Sequence, residues 1–332
     1  VISIFIIIFE EETEERYLKQ YLAPMEGVTG FRYRQTFLEY YGGVDRCFTP
    51  FVCPNQNESF ITREKKEIAP ENNVRCETIP QVLVARADHF LWAAGEFEKL
   101  GHTEMNLNLG CPSGTVVSKK KGSGFLAFPE ELDAFLAEVY EKSPIQISIK
   151  TRLGRYEPQE WERLLAIFQK YPVSELILHP RVQQEMYRGN AHREWYRYTC
   201  ERWDRPLCYN GDLNTVQDIQ DFMEKYPNTD RIMLGRGLVR NPALARQAKG
   251  GAGLDKEEFY AFGNQLYHTY LEDLSGETPV LFKMKELWAY WADSFTDPDA
   301  VRKKIRKTQK CREYEACVQQ IFARESLREE EH

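Results

Sequence analysis

From residue 21 to about residue 240, short apolar runs alternate with amphipathic stretches. Eight runs have the length and content of strands: residues 21–25, 44–51, 81–84, 104–109, 145–150, 175–179, 207–210 and 231–234. Several are largely apolar rather than alternating, as in parallel strands covered on both faces. Between them, residues 90–100, 130–141, 158–169 and 215–225 repeat their apolar positions at helical spacing, with starts at Pro129, Pro158 and the pair Asn214 and Thr215. Eight strands alternating with helices predict an α/β fold, a (β/α)8 TIM barrel. A doubly wound open sheet alternates in the same way, so counting alone leaves that architecture open.

The pattern breaks after residue 245. Residues 249–253 (Lys-Gly-Gly-Ala-Gly) read as a flexible linker. Beyond it every stretch is helical: residues 256–275, 279–293, 298–307 and 311–327. The predicted organisation is a barrel over residues 21–248 followed by a C-terminal all-helical domain over residues 254–330. Residues 1–9 are almost wholly apolar and acids follow them. Nine residues fall short of the roughly 20 that span a bilayer. The basic start and small-residue cleavage site of a signal peptide are missing too. Residues 1–20 are therefore expected to be an extra segment of doubtful origin, a non-native or mis-assigned start, with a stray strand or membrane-touching segment as the alternative, and the fold is expected to begin near Tyr21.

Composition narrows this picture only a little. The 332 residues leave room for a barrel of about 250 residues and a small second domain. Hydrophobic residues at 42% and charged residues at 29% suit a water-soluble globular chain. The net charge of -7 gives no general attraction to phosphate, so a nucleic-acid partner needs a local basic patch. One run qualifies: Arg302, Lys303, Lys304, Arg306, Lys307, Lys310 and Arg312. A solvated helix face has the same look. Eight scattered cysteines form no C-x-x-C pair, which excludes a zinc ribbon and a dithiol redox motif. They read as reduced thiols of a cytoplasmic protein, most of them small core residues, and no metal site is expected.

A TIM barrel builds its active site at the C-terminal ends of its strands. Six predicted strand ends carry polar residues and glycines: residues 23–27, 106–112, 150–152, 179–181, 210–212 and 235–237. Gly235 and Gly237 allow close backbone approach to a phosphate, and Arg236 is placed to pair with it. Asn210, Gly211 and Asp212 would complete that pocket, although N-G-D is also a common turn. Lys150, at the end of an apolar strand, needs an anionic partner. A lone residue such as His179 is more often a structural hydrogen-bonder. Cys111 sits between Gly110 and Pro112 just past a strand. The lysine- and glycine-rich residues 118–124 behind it read as a mobile loop whose charge would tune the thiol. Trp288, Tyr290 and Trp291 read as helix core.

The ordered set of motifs resembles the tRNA-dihydrouridine synthase family. A-P-M-x-x-x-T is matched by Ala23, Pro24, Met25 and Thr29. N-x-G-C-P is matched by Asn108, Gly110, Cys111 and Pro112, followed by Gly122 and Gly124. Lys150, H-x-R at His179 and Arg181, N-G-D and G-R-G follow in the family's order, so the resemblance covers residues 21–245. It implies an FMN held by Pro24, Met25, Gln81, Lys150, His179, Asn210, Gly211, Asp212, Gly235 and Arg236. It implies hydride delivery from the flavin to C6 of a uracil, with a proton from Cys111 to C5 and Asn108 and Arg181 at the substrate. NADPH or NADH would be the electron donor. The partner would be tRNA, its uridine extruded from the fold and its phosphates met by Lys303, Lys304 and Lys307. A cytoplasmic monomer without membrane or metal attachment completes the expectation. Two positions depart from the pattern: Asn106, where the family often has an acid, and Val182, where it commonly has threonine. The alternative is an FMN barrel reducing a free small molecule, similar to dihydroorotate or dihydropyrimidine dehydrogenases.

Overall fold

The computed structural model describes residues 17–328, so the expectation for residues 1–16 lies outside the described residues. Nine parallel strands form one sheet: β1 (Lys19–Leu22), β2 (Arg46–Phe48), β3 (Thr78–Ile79), β4 (Gln81–Val82), β5 (Glu104–Leu109), β6 (Gln146–Gly154), β7 (Leu176–Val182), β8 (Leu207–Tyr209) and β9 (Arg231–Leu234). Their order is β3-β2-β1-β9-β8-β7-β6-β5-β4. β3 and β4 are two halves of one stave, interrupted at Pro80, which has no N–H to donate. The Pro80 carbonyl still accepts from Asn106 N at 2.9 Å, and Val52 N from the far side donates to Gln81 O at 2.9 Å. Nine strands thus make eight staves, closed as a TIM barrel.

The barrel begins earlier than the apolar pattern placed it. Lys19 and Gln20 are polar, yet both pair with β9. Gln20 is fully buried and donates to Ala245 O at 3.1 Å. β6 also runs on past the expected residue 150 to Gly154, with an irregular register against β7 near Arg152.

Side chains alternate across each strand, so every second residue faces the barrel interior. Inside, Tyr21, Ala23, Phe48, Ile79, Ile177, Cys208 and Met233 form a small apolar cluster. They come from β1, β2, β3, β7, β8 and β9, with Ala23 just past β1. On the other side, the inward positions Gln81, Asn106 and Ser148 of β4, β5 and β6 are polar and fully buried. The larger core lies between the sheet and its helices. The predicted helices occur as Ala87–Lys99, Pro129–Lys142, Glu160–Phe168 and Val216–Lys225. Two more, Phe31–Tyr40 and Arg193–Cys200, were not read from the pattern.

The C-terminal helices are Lys256–Asp273, Glu277–Trp291, Pro298–Lys307 and Cys311–Arg324. Trp288, Trp291, Phe259 and Phe295 are buried at their centre. Phe262 docks the domain on the barrel, its ring 5.9 Å from Tyr33, 6.0 Å from Tyr40 and 5.3 Å from Tyr41. The glycine-rich connection is tied down rather than loose. Arg246 donates to Ala252 O at 3.0 Å and Gly253 O at 3.1 Å while pairing with Glu258 at 2.7 Å.

Candidate active site

The loop after β1 is set by one hydroxyl. Thr29 Oγ1 accepts from Met25 N at 2.8 Å and donates to Ala23 O at 3.1 Å. This curls Pro24 and Met25 over the barrel mouth, where Met25 lies beside Gly235 of the last strand end. Gly27 has φ +81°, a conformation that favours glycine. Lys283 of the helical domain donates to the Gly27 carbonyl at 2.6 Å.

Cys111 is held from both sides. Asn108 Oδ1 accepts from Gly110 N at 3.0 Å and Cys111 N at 2.9 Å. Ser123 donates from N at 3.1 Å and from Oγ at 2.8 Å to Cys111 O. Burial pushes the half-buried thiol above its ordinary value, against a backbone N–H at Ser113 and the charge of Arg152. It is therefore protonated at neutral pH, the form a general acid needs. Of the mobile loop expected behind it, residues 118–120 are an exposed turn, whereas residues 122–124 are packed backbone. Residues Gly122–Ala127 form a 3-10 helix with Gly122, Ser123 and Gly124 buried. A Cβ on Gly122 would lie 2.8 Å from Cys111 O, and one on Gly124 would lie 2.7 Å from Val117 O. The two glycines thus permit close approach.

Behind Asn108 runs a line of buried amides. Asn108 Nδ2 donates to Gln81 Oε1 at 2.7 Å, and Gln81 Nε2 to Asn106 Oδ1 at 2.8 Å. Asn106 Nδ2 donates to Ser148 Oγ at 3.0 Å. Strand register puts Gln81, Asn106 and Ser148 at one level and Asn108 and Lys150 at the next.

The mouth carries cations without matching acids. Among the described residues the Lys150 ammonium meets no acceptor, and burial, then Arg152, pull its pKa down to about 8. Arg152 is buried and donates to two carbonyls, Gly110 O and Val182 O, both at 3.0 Å. His179 accepts at Nε2 from Arg181 Nη1 at 3.0 Å. A guanidinium only donates, so the ring proton sits on Nδ1. Burial, then Arg152 and Lys150, hold His179 well below the usual histidine range, so it is neutral.

Asp212 gathers the remaining charge. It takes both terminal nitrogens of Arg181, Arg236 Nη2 at 3.1 Å and Ala191 N at 3.2 Å. Asn210 donates to Met233 O at 2.8 Å. Gly211 leaves no room for a Cβ against the Tyr209 ring. Gly237 packs on Leu213 and Asn214, while Gly235 leaves a more open backbone.

Two residues at the mouth went unassigned from sequence. Arg152 was visible as a strand end, and its spacing of two from Lys150 puts both on one face. Tyr187 gave no signal, because an irregular loop through Met186 at φ +56° delivers it. Its half-exposed ring lies 5.2 Å from the Arg152 guanidinium and 4.8 Å from that of Arg236, and stacks over His179 at 6.1 Å.

In the helical domain, Lys303, Arg306, Lys307, Lys310 and Arg312 are exposed and in no ion pair among the described residues. Lys304 is tied to Glu325 at 2.6 Å, and Arg302 to Asp293 and Asp299. Trp288 and Trp291 are core as read. Tyr290 packs on the same core but is only half-buried, and its hydroxyl feels Tyr187, Glu286, Arg236 and Arg240, on the mouth side. Among the described residues no three metal-ligating side chains converge, and no helix is long and apolar enough to cross a membrane.

Comparison with known proteins agrees with this geometry. The dihydrouridine synthase (Dus) family model matches residues 21–326. A tRNA-dihydrouridine(16) synthase of Aquipseudomonas alcaligenes is 34% identical over 71% of this chain and 77% of its own length. One from Neisseria meningitidis serogroup A is 32% identical over 69% and 70%. A probable tRNA-dihydrouridine synthase of Staphylococcus aureus (strain COL) is 26% identical over 91% and 92%. Among solved structures, an old yellow enzyme homologue from Zymomonas mobilis superposes with TM-score 0.51 at 10% identity, over 72% of this chain and 90% of that one. A 2-naphthoyl-CoA reductase complex gives 0.52 at 8%, over 70% of this chain and 50% of that one. At such identities these two speak for the fold alone.

Proposed function

The chain belongs to the dihydrouridine synthase family, and from that premise we propose that it is a flavin-dependent tRNA-dihydrouridine synthase. The observation that carries this reading is the meeting, at one barrel mouth, of a protonated thiol, the half-buried Lys150 ammonium and the buried Arg152 guanidinium, neither cation neutralised by an acid. An unpartnered ammonium inside the barrel, on the inward face of β6, is costly unless an anion is to be bound there. The residues fit FMN on that count. Lys150 suits the anionic edge of a reduced flavin ring, bordered by Pro24, Met25 and Gln81, with the neutral His179 alongside. Asn210, Gly211 and the open backbone at Gly235 suit its phosphate end, with Arg236 as the positive charge. Asp212 works indirectly: a carboxylate repels phosphate, but this one fixes Arg181 and Arg236.

FMN, when bound, supplies hydride to C6 of the uracil, and NADPH or NADH replenishes it. Cys111 donates its proton to C5, so that one hydride and one proton saturate the C5–C6 bond. Asn108 fixes the Cys111 backbone at the strand end. Arg152 and Tyr187 frame the space beside Cys111 and border the base; Arg181, expected at the substrate, is buried with its N–H groups taken by His179, Asp212, Arg188 O and Gly189 O, and braces this frame instead. tRNA phosphates are met by Lys303 and Lys307. Lys304 serves the same face less directly, through a side chain already engaged with Glu325.

The purified protein, loaded with FMN and given NADPH and unmodified tRNA, should yield dihydrouridine by nucleoside mass spectrometry and leave free uridine untouched. Reduction of free uridine or orotate, with tRNA ignored, would replace this reading with a small-molecule reductase. K303E combined with K307E should raise the KM for tRNA about tenfold and leave flavin content unchanged.

A further inference from the structure

We propose that Asn106 is a positioning residue for Cys111, acting through a one-way relay of amides across the barrel interior. This inference rests on the function proposed above.

The relay has a fixed direction because its upper end cannot reverse. At the top are backbone N–H groups of Gly110 and Cys111, which only donate. They require the oxygen of Asn108, so its nitrogen must turn to Gln81. Gln81 must then offer oxygen to Asn108 and nitrogen to Asn106. Asn106 must offer oxygen to Gln81 and nitrogen to Ser148. At the bottom, Ser148 Oγ donates to the Met105 carbonyl at 3.4 Å, a group that only accepts, and lies against the Glu104 carboxylate. Turning Asn108 or Gln81 would set donor against donor at one side and acceptor against acceptor at the other, and turning Asn106 would set donor against donor at Gln81. In a water-excluded interior each mismatch leaves a polar group unsatisfied.

Asn106 holds the deciding place in this line. Gln81 has a long, rotatable side chain and borders the proposed flavin site. Asn106 is fully buried, sits level with Gln81 and Ser148 in the register, and takes Gln81 Nε2 on its oxygen, which locks the long Gln81 side chain in the orientation that Asn108 requires. TIM-barrel interiors are usually filled by branched apolar side chains in layers. Here the layer is apolar on one side and amide-lined only beneath Cys111. Leucine at 106 would fill the space without directing Gln81. Aspartate would still accept from Gln81, and the Ser148 hydroxyl could turn to donate to its other oxygen.

The test compares N106L, N106D and S148A in full-length, flavin-loaded protein. In N106L, single-turnover uridine reduction at saturating tRNA should fall about tenfold, with KM for tRNA and NADPH-driven flavin reduction unchanged. N106D should stay within about threefold of the parent. A second readout needs no catalysis. In flavin-free protein, alkylation of Cys111 should speed up about threefold in N106L relative to the exposed Cys200, and stay at the parent rate in N106D. N106L with parent turnover and parent alkylation overturns the proposal. So does N106D failing as badly as N106L, which would mark a merely structural amide. If N106L does not fold, S148A removes only the acceptor for Asn106 and should show the same changes more weakly; parent behaviour there overturns the proposal. Should the parent make no dihydrouridine, the reading of function fails, and the alkylation comparison still decides Asn106.

Discussion

The two ends of the barrel are built from the same strands and treat charge in opposite ways. At the floor, Glu175 accepts from Tyr21 at 3.0 Å and pairs with Arg231 at 2.8 Å and Arg46 at 3.5 Å. Arg46 also reaches Glu104 at 3.2 Å and Glu77 at 2.9 Å, and Arg231 reaches Asp230 at 2.6 Å. Every cation there has acids around it. At the mouth, Asp212 serves Arg181 and Arg236, but Lys150 has no acceptor and Arg152 meets two carbonyls and Tyr187 in place of an acid. A closed set of ion pairs specifies and holds a structure. An open set is a stored demand for an anion. The contrast says which end is spent on folding and which on a ligand.

Substitutions at the two ends should therefore fail differently. The largest effect is expected from C111A at the mouth. Dihydrouridine formation should drop by about 10²–10⁴, the usual worth of a general acid, with flavin content and thermal stability unchanged. Activity near the parent level in stopped-flow assays would remove Cys111 from the chemistry. Next comes E175A at the floor. Removing one partner from a buried charge cluster should cost about 3 kcal/mol of unfolding free energy in denaturant titrations. Turnover per folded, flavin-loaded molecule should stay the same. A selective loss of turnover instead would erase the distinction between the ends.

The smallest effect is a pH dependence at Lys150. Its ammonium is charged below a pKa of about 8 in the unliganded protein. Attraction for an anionic ligand is thus fully present below pH 8 and fades as pH rises above it. Affinity for reduced FMN, titrated anaerobically by flavin absorbance, should fall about tenfold between pH 7 and pH 9, and K150M should flatten that slope. A slope that survives in K150M would assign the pH dependence to another group.

Much of this was legible in the chain. Parallel strands buried on both faces announce themselves as apolar runs, and all eight staves were found. Glycine and polar residues at strand ends located the mouth. What escaped has physical causes. Phe31–Tyr40 lacks acids in its first turn and a side-chain cap, so no start signal marks it. Arg193–Cys200 is short and mostly polar. Lys19 and Gln20 look like surface residues but lie in β1. Gly122 and Gly124 looked like hinges because sequence does not distinguish a glycine that moves from one that is crowded. Tyr187 depends on a loop path that no periodicity encodes.

The Arg246 clasp has a consequence of another kind. By tying down Ala252 and Gly253, it turns the junction between barrel and helices into a rigid bracket. The exposed lysines of one part and the thiol of the other are then separated by a constant span. On the function proposed above, a folded RNA gripped at its phosphates would present to Cys111 only a nucleotide lying at that span. The protein would in this way measure its target by length, much as a caliper does, before any base is read.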